Sequence, residues 1–202
     1  MLVEELLFEM PKSIAPLELK LDFEKSNKRF AIALLQNKNR ELVKSLSEDV
    51  NLYEIKNQFV VIDEEERHVV YYMRWTEIFH KFVNHKAASQ VLVWRDKDKP
   101  GYENTAKDIF FEHLLPKYKV VITDALQSPD GRNFWVRRIG NAFSLGLNVY
   151  YLSLLPTNKE VTRELIKIDS IADFERLNKE KNFWGETEKF KARKLIISSV
   201  EL

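Results

Sequence analysis

The chain has 202 residues, 45% of them hydrophobic, which predicts one globular domain with a sizeable core. Its 32 basic and 31 acidic residues leave a net charge of +1, so there is no global electrostatic case for binding nucleic acid or an anionic membrane. The absence of cysteine excludes disulfides, thiolate metal sites and a cysteine nucleophile. No segment approaches the ~20 apolar residues of a membrane span, and acidic residues stand where a secretion signal needs positive charge. We therefore expect a soluble, cytoplasmic protein.

The N-terminal quarter is predicted to hold two strands and a helix. An apolar run at residues 2–9 and a strictly alternating run at 17–23 are typical of strands. Ser26 can cap a helix over residues 27–48. The polar stretch at 36–39 can divide that helix into two.

A hairpin and a further strand follow. Residues 53–62 and 68–75 have strand patterns, and the short acidic segment 63–66 between them favours an antiparallel hairpin. Residues 89–95 form the next predicted strand.

A helix and another strand come next. Asn104 or Thr105 can cap the helix, and Pro116 is expected to end it because proline cannot continue a helix. Residues 119–124 are predicted to be a strand. One helical face contains apolar side chains and one histidine, at Ala106, Ile109, Phe110, His113 and Leu114.

The C-terminal part contains two helices with strong start signals. Ser128-Pro129-Asp130-Gly131 predicts a helix start, and Gly146 suits the left-handed position after its end. Residues 147–155 form a strand. Ser170 to Asp173 resembles a capping box that opens a helix, and residues 194–200 form the last strand.

This order predicts an α+β fold with a mixed, mostly antiparallel sheet flanked by helices. We expect a single domain of residues 1–202. Its parts are an N-terminal region 1–52, a core 53–155 and a C-terminal helix and strand within 156–202.

The core resembles the GNAT superfamily of N-acetyltransferases. That family has the same order of hairpin, strand, interrupting loop, helix, strand, helix and strand. In the family, the loop has an Arg/Gln-x-x-Gly-x-Gly/Ala pattern. Its backbone amides and the following helix N-terminus hold the pyrophosphate of acetyl-coenzyme A, because free N–H groups and the helix dipole attract anions. The resemblance implies an acyltransferase that uses acetyl-CoA as acyl donor.

The resemblance puts residues 101–106 on the pyrophosphate loop. Gly101 and Ala106 are small, while Tyr102 and Asn104 occupy positions that the family usually gives to glycine. The strand before the loop would hold the pantetheine, and the next helix would contact the distal arm of the cofactor. The implied cofactor-binding residues are Leu92, Val93, Trp94, Arg95, Gly101, Tyr102, Asn104, Thr105, Ala106, Asn133 and Trp135.

Three residues are candidates for the chemistry. Asp124 ends a predicted parallel strand, where ligands bind in α/β sheets, so Asp124 or Glu77 could act as general base on an amine. The alternative for Asp124 is a cap of the following turn. Trp135 stands where the family often has a tyrosine that protonates the thiolate, and an indole N–H is not a usable acid. Tyr150 is a possible substitute, although packing in the core would also explain it.

The acceptor would be an amine on a small molecule or a protein. Glu77, His80 and His85 lie close in sequence without metal-ligand spacing, so we expect no metal site. Two other functions remain open. A GNAT-like fold without its cofactor could serve as a binding or inhibitory protein. Arginine and aromatic residues could also bind or modify nucleic acid, although the near-zero net charge makes this unlikely as the main function.

Overall fold

The computed structural model describes residues 16–80, 83–102, 104–123, 128–156, 161–184 and 192–202. The chain divides into two compact units. Within the described ranges, the N-terminal unit contains residues 16–76 and 91–111, and the C-terminal unit contains residues 77–90 and 112–202. The strands that run through positions 76 and 91 therefore contribute to both units.

The N-terminal unit consists of a helix and five strands in the order β1-β2-β3-β4-β5, followed by a short helix. The pairs β1–β2, β2–β3 and β3–β4 are antiparallel. The elements are α1 (Pro16–Leu35), β1 (Glu41–Ser45), β2 (Val50–Glu54), β3 (Gln58–Asp63), β4 (His68–His80), β5 (His85–Arg95) and α2 (Thr105–Asp108).

Helix α1 corrects two predictions. Residues 17–23 are helical rather than a strand, because Leu, Glu and Lys are strong helix formers that outweigh a short alternating pattern. Ser26, predicted to cap a helix from residue 27, has non-helical angles (φ −139°, ψ 19°) at the kink where two helical segments of α1 meet, which agrees with a helix start at residue 27. The helix ends at Leu35, so the predicted helix over 27–48 is wrong beyond that residue. The predicted strand at residues 2–9 lies outside the described residues.

A β-meander replaces the rest of that helix. Strands β1 and β2 pair from Glu41↔Glu54 to Ser45↔Asn51, and β2 pairs with β3. The single strand predicted over 53–62 is therefore two strands. A tight turn without glycine joins them, with Lys56 in the left-handed region (φ 56°). The predicted hairpin across the acidic turn is confirmed by the pairing of β3 with β4.

The core of the N-terminal unit lies between α1 and one face of its sheet. Ala31 on α1 is fully buried, and Leu92 and Trp94 of β5 pack against the same cluster. The buried members of this cluster are Ala31, Tyr53, Ile55, Val60, Ile62, Val69 and Tyr72.

The C-terminal unit has strands in the order β5-β6-β9-β7-β8 with helices packed on them. The pair β5–β6 is parallel and the other pairs are antiparallel. The elements are α3 (Leu115–Tyr118), β6 (Val120–Ile122), α4 (Pro129–Ser144), β7 (Asn148–Pro156), β8 (Val161–Ile168), α5 (Ile171–Lys181) and β9 (Arg193–Ser198). The sequence patterns missed β8. The predicted fold class, an α+β protein with a mixed and mostly antiparallel sheet flanked by helices, is confirmed.

The helical crossover between β5 and β6 continues past the proline that was expected to end it. Helix α2 passes through a π-helical segment, Ile109–Leu114, into α3. Pro116 lies in the first turn of α3, where a missing N–H costs little. The chain leaves the helix at Lys119 in the left-handed region (φ 63°), directly before β6.

Candidate functional site

The loop between β5 and α2 is the first part of the candidate site. Gly101 has φ +91°, and no described atom lies within 4 Å of the position where a Cβ would stand. Asn104 is the N-cap of α2 in right-handed conformation (φ −88°, ψ −12°), and its side chain makes no capping hydrogen bond within the described residues. Its carbonyl oxygen accepts from the amides of Lys107 and Asp108 at 2.8 and 3.0 Å. Of these two positions, only Gly101 needs the freedom of glycine.

An aspartate–histidine pair fixes the start of this loop. Asp96 Oδ2 lies 2.5 Å from Nε2 of His68, the first residue of β4. The amide of Asp98 donates to Asp96 Oδ1 at 2.9 Å, and the amide of Asp96 donates to the Val70 carbonyl at 3.0 Å. Burial opposes ionisation of Asp96, but the hydrogen bonds from Asp98 and His68 outweigh it and lower the pKa of that carboxyl.

Lys99, another residue of this loop, lies close to the carboxylates of Glu66 and Asp63. Lys99 Nζ contacts the Glu66 carboxylate and lies 3.8 Å from Asp63 Oδ2. The hydrogen bond to Glu66 is the main cause that raises the pKa of Lys99. The carboxylates therefore offset the charge of Lys99, whereas Lys97, also on this loop, is exposed.

The strand residues expected to hold pantetheine are half-buried. Leu92 and Trp94 turn their side chains towards the α1 cluster, and Val93 and Arg95 alternate with them. Tyr102, Thr105 and Ala106 of the loop and α2 are also half-buried, and Asn104 is exposed. All eleven implied cofactor residues except Asn133 and Trp135 thus belong to the N-terminal unit.

Glu77, in the C-terminal unit, is held by two partners. Its Oε1 lies 2.8 Å from Lys86 Nζ, and Tyr118 donates its hydroxyl to Oε2 at 3.0 Å. The hydrogen bond from Lys86 is the main cause that lowers the pKa of Glu77. A lowered pKa makes a carboxylate a weaker base, so this environment does not favour Glu77 as a general base.

The aromatic candidates of the C-terminal unit are core residues. Trp135 on α4 is 1% exposed and packs edge-on against Phe134, with ring centroids 5.6 Å apart. Tyr150 on β7 is 2% exposed, and its hydroxyl accepts a hydrogen bond from the Leu202 amide at 3.1 Å. Asn133 is exposed on α4, and Asp124 lies outside the described residues.

The sequence patterns did not single out His68, Asp96 or Asn27, which the structure brings together. The side-chain amide of Asn27 donates to the Val69 carbonyl and accepts from the Val69 backbone amide. Its nitrogen lies 3.3 Å from His68 Nε2. One signal was available: Asp96 directly follows the carboxyl end of β5. The histidine partner is more than two dozen positions away and has no such signal.

Among the described residues, no group of three or more His, Asp or Glu side chains is arranged to hold a metal ion. The described helices include none that is both long and apolar enough to cross a membrane. The chain matches no protein-family model, and comparison with curated proteins and with solved structures also gave no match.

Proposed function

We propose that the protein is a GNAT-like acyltransferase that transfers an acetyl group from acetyl-CoA to an amine. The observation that carries the proposal is the crossover from β5 through a loop and a helical segment to the parallel strand β6. With the hairpin before it and α4 and β7 after it, this crossover has the element order that the GNAT resemblance requires.

The loop supports a phosphate-binding role in the N-terminal unit. Gly101 gives the backbone a left-handed residue shortly before α2 begins, and the Asn104 side chain makes no capping hydrogen bond within the described residues. The amides of Thr105, Lys107 and Asp108 donate to backbone carbonyls of Tyr102 and Asn104. Backbone amides in such a turn, with a helix start behind them, attract an anion. Because Lys99 is paired with carboxylates, the positive charge for a pyrophosphate would come from the exposed Lys97 rather than Lys99.

Isothermal titration with acetyl-CoA and a matched pair of glycine variants tests the proposal. Gly101 and Gly146 both have positive φ, and both have open space at the Cβ position among the described atoms. Alanine at either position therefore introduces a similar backbone strain, of about 1–2 kcal/mol. We expect Gly101→Ala to weaken acetyl-CoA binding severalfold, whereas Gly146→Ala, at the end of α4, should bind like the wild type.

Two results would contradict the proposal. One is the absence of binding heat from folded wild-type protein at millimolar acetyl-CoA. The other is an equal loss of affinity in both glycine variants, which would indicate a general loss of structure. Turnover can be followed by thiol release, and because the chain has no cysteine, every thiol detected comes from coenzyme A.

A second candidate is a binding protein that keeps this fold without catalysis. The buried Trp135 favours it, since the position implied for the thiolate acid carries an indole in the core. The carboxylates around Lys99 also favour it, because they disfavour a diphosphate. Capture of one stoichiometric macromolecular partner, bound equally by wild type and Gly101→Glu, would support this candidate over catalysis.

A further inference from the structure

Ser89, near the middle of β5, buries a hydroxyl that has no hydrogen-bond partner among the described residues. Its side chain is 0% exposed. Burying an unpaired hydroxyl costs free energy, and most buried polar side chains are hydrogen-bonded. Ser198 on β9 shows the usual arrangement: it is equally buried, and its Oγ donates to the Val200 carbonyl at 2.7 Å and accepts from the Val200 amide at 3.1 Å. The unpaired hydroxyl of Ser89 therefore needs an explanation other than packing.

Ser89 lies in the C-terminal unit, at the point where the pairing of β5 with β6 ends. Among the described residues, the parallel pairs between these strands are Ala88↔Val121 and Ser89↔Ile122. Strand β6 ends at Ile122, whereas β5 continues to Arg95. Ser89 thus lies beside the carboxyl end of a parallel strand, which is where ligands bind in sheets of this kind.

The surroundings of the Ser89 hydroxyl are apolar. Parallel partners, and residues two apart along a strand, share a face of the sheet, so Ser89 lies on the same face as Ile122 and Ala87. A hydrogen bond formed on such a face is stronger than one in water, because the dielectric is low and no water competes. The buried cluster that contains Ala87 and Ile122 consists of Val83, Ala87, Val120, Ile122, Tyr150, Leu152, Leu154 and Ile196.

The cofactor placement implied by the GNAT resemblance puts the thioester near Ser89. In that placement, residues 101–106 would hold the pyrophosphate and residues 92–94 the pantetheine. Coenzyme A has its thioester at the far end of the pantetheine arm, so the acyl group would lie further along β5, towards residue 89. At a rise of about 3.3 Å per residue, Ser89 is only about 10 Å from Leu92 along the strand.

We propose that Ser89 is a catalytic residue that donates a hydrogen bond from Oγ to the carbonyl oxygen of the bound thioester. This inference rests on the proposed function. The amine nitrogen forms a bond to the carbonyl carbon, and the carbonyl oxygen takes up negative charge, which the serine O–H stabilises. The carbonyl then re-forms as the C–S bond breaks, and the thiolate leaves with the bonding electron pair. The proton of the amine passes through water to that thiolate, so the products are an amide and free coenzyme A, and Ser89 keeps its proton throughout.

The first test compares the rates of two matched variants. It uses the full chain with acetyl-CoA, and with water, spermidine and a lysine-containing peptide as acceptors. Ser89→Val and Ser89→Thr introduce side chains of the same shape, of which only threonine has a hydroxyl. We expect kcat to be about 10²–10³-fold lower in Ser89→Val than in Ser89→Thr. Acetyl-CoA affinity should be nearly equal in the two, because the charge on the carbonyl oxygen develops only during the reaction.

The second test measures unfolding in urea without cofactor. Ser89→Ala removes an unpaired hydroxyl, so the urea midpoint should stay the same or rise. Ser198→Ala is the matched control, since it removes two hydrogen bonds to Val200 and should lower the midpoint. Ser89→Ala should nevertheless lose kcat, whereas folded Ser198→Ala should keep it. A serine with a structural role only would not combine unchanged stability with a lower rate.

The outcomes separate the two proposals. If wild type does not bind acetyl-CoA, the proposed function fails and this inference fails with it. If wild type binds acetyl-CoA but releases no thiol with any acceptor, the role of Ser89 is contradicted while cofactor binding stands. The inference is also wrong if Ser89→Val and Ser89→Thr have equal kcat. It is equally wrong if Ser89→Ala lowers the urea midpoint as much as Ser198→Ala, because the hydroxyl would then stabilise the free protein.

Discussion

The loop after β5 and the helix α4 show two ways in which this chain fixes its backbone. The ends of α4 are satisfied by neighbours in sequence: Ser128 accepts from the Gly131 amide at 3.2 Å, and the amides of Gly146 and Leu147 return to Phe143 and Ala142. The loop is fixed from a distance, since its first residue, Asp96, binds a histidine on another strand.

The difference separates structural from functional roles. Helix α4 caps both of its ends with neighbouring residues and buries its apolar face. Its residues are therefore accounted for without a ligand. The loop after β5 is held by a polar pair from distant positions in the chain, and both side chains of that pair, His68 and Asp96, are partly exposed to solvent. Natural proteins place such groups at functional sites more often than elsewhere. Four substitutions test this comparison.

Trp135→Ala should give the largest effect, because the side chain is 1% exposed in the core of the C-terminal unit. We expect the free energy of unfolding to fall by about 3–5 kcal/mol, as for other large aromatic residues in cores. Urea unfolding measures it, with the exposed Asn133→Ala on the same helix as control. A loss no larger than that of the control would mean that Trp135 is not a core residue.

Asp96→Asn should have an intermediate effect, of about 1–3 kcal/mol at neutral pH, because it removes hydrogen bonds to a charged group. The folded-state pKa of Asp96 is lowered, so this stability is fully present above the ordinary aspartate pKa of about 3.9 and is lost as the pH falls through the folded value. Wild type and variant should therefore differ near pH 7 and converge in acid. Asp98→Asn, whose side chain is exposed, is the control. A difference that persists unchanged at low pH would argue against hydrogen bonds to an ionised Asp96 carboxylate.

The smallest effects concern the two helix starts. Ser128→Ala should cost about 1 kcal/mol because it removes the capping hydrogen bond to Gly131. Asn104→Ala should cost little, since no cap is made there within the described residues. Thermal unfolding of both variants decides this, and equal losses would mean that Asn104 caps α2 after all.

Local signals predicted the elements whose causes are local. The starts at Ser128 and Ser170 and the end at Gly146 have the expected caps, and the acidic turn joins β3 to β4. The sequence patterns gave wrong elements where packing between distant residues determines the secondary structure. Residues 17–23 alternate like a strand yet are helical, and residues 41–54 form a strand pair that the helix prediction had covered in part.

The candidate site was predictable only in part for the same reason. The loop with Gly101 follows from the strand–helix–strand order and one glycine. Trp135 and Tyr150 were candidates by position, and their burial shows that packing explains both without a ligand. The His68–Asp96 pair could not be read from sequence, since a histidine at one strand start and an aspartate at another strand end have no fixed spacing.

The amino-acid sequence by itself determined the α+β class, the parallel crossover and the caps of α4 and α5, because periodicity and capping act over a few residues. Only the tertiary structure decided the meander from β1 to β3, the strand β8, and the contacts that hold Asp96 and Lys99. Strand pairing and ion pairs join residues far apart in the chain, and their free energy depends on burial and distance that only the folded chain defines.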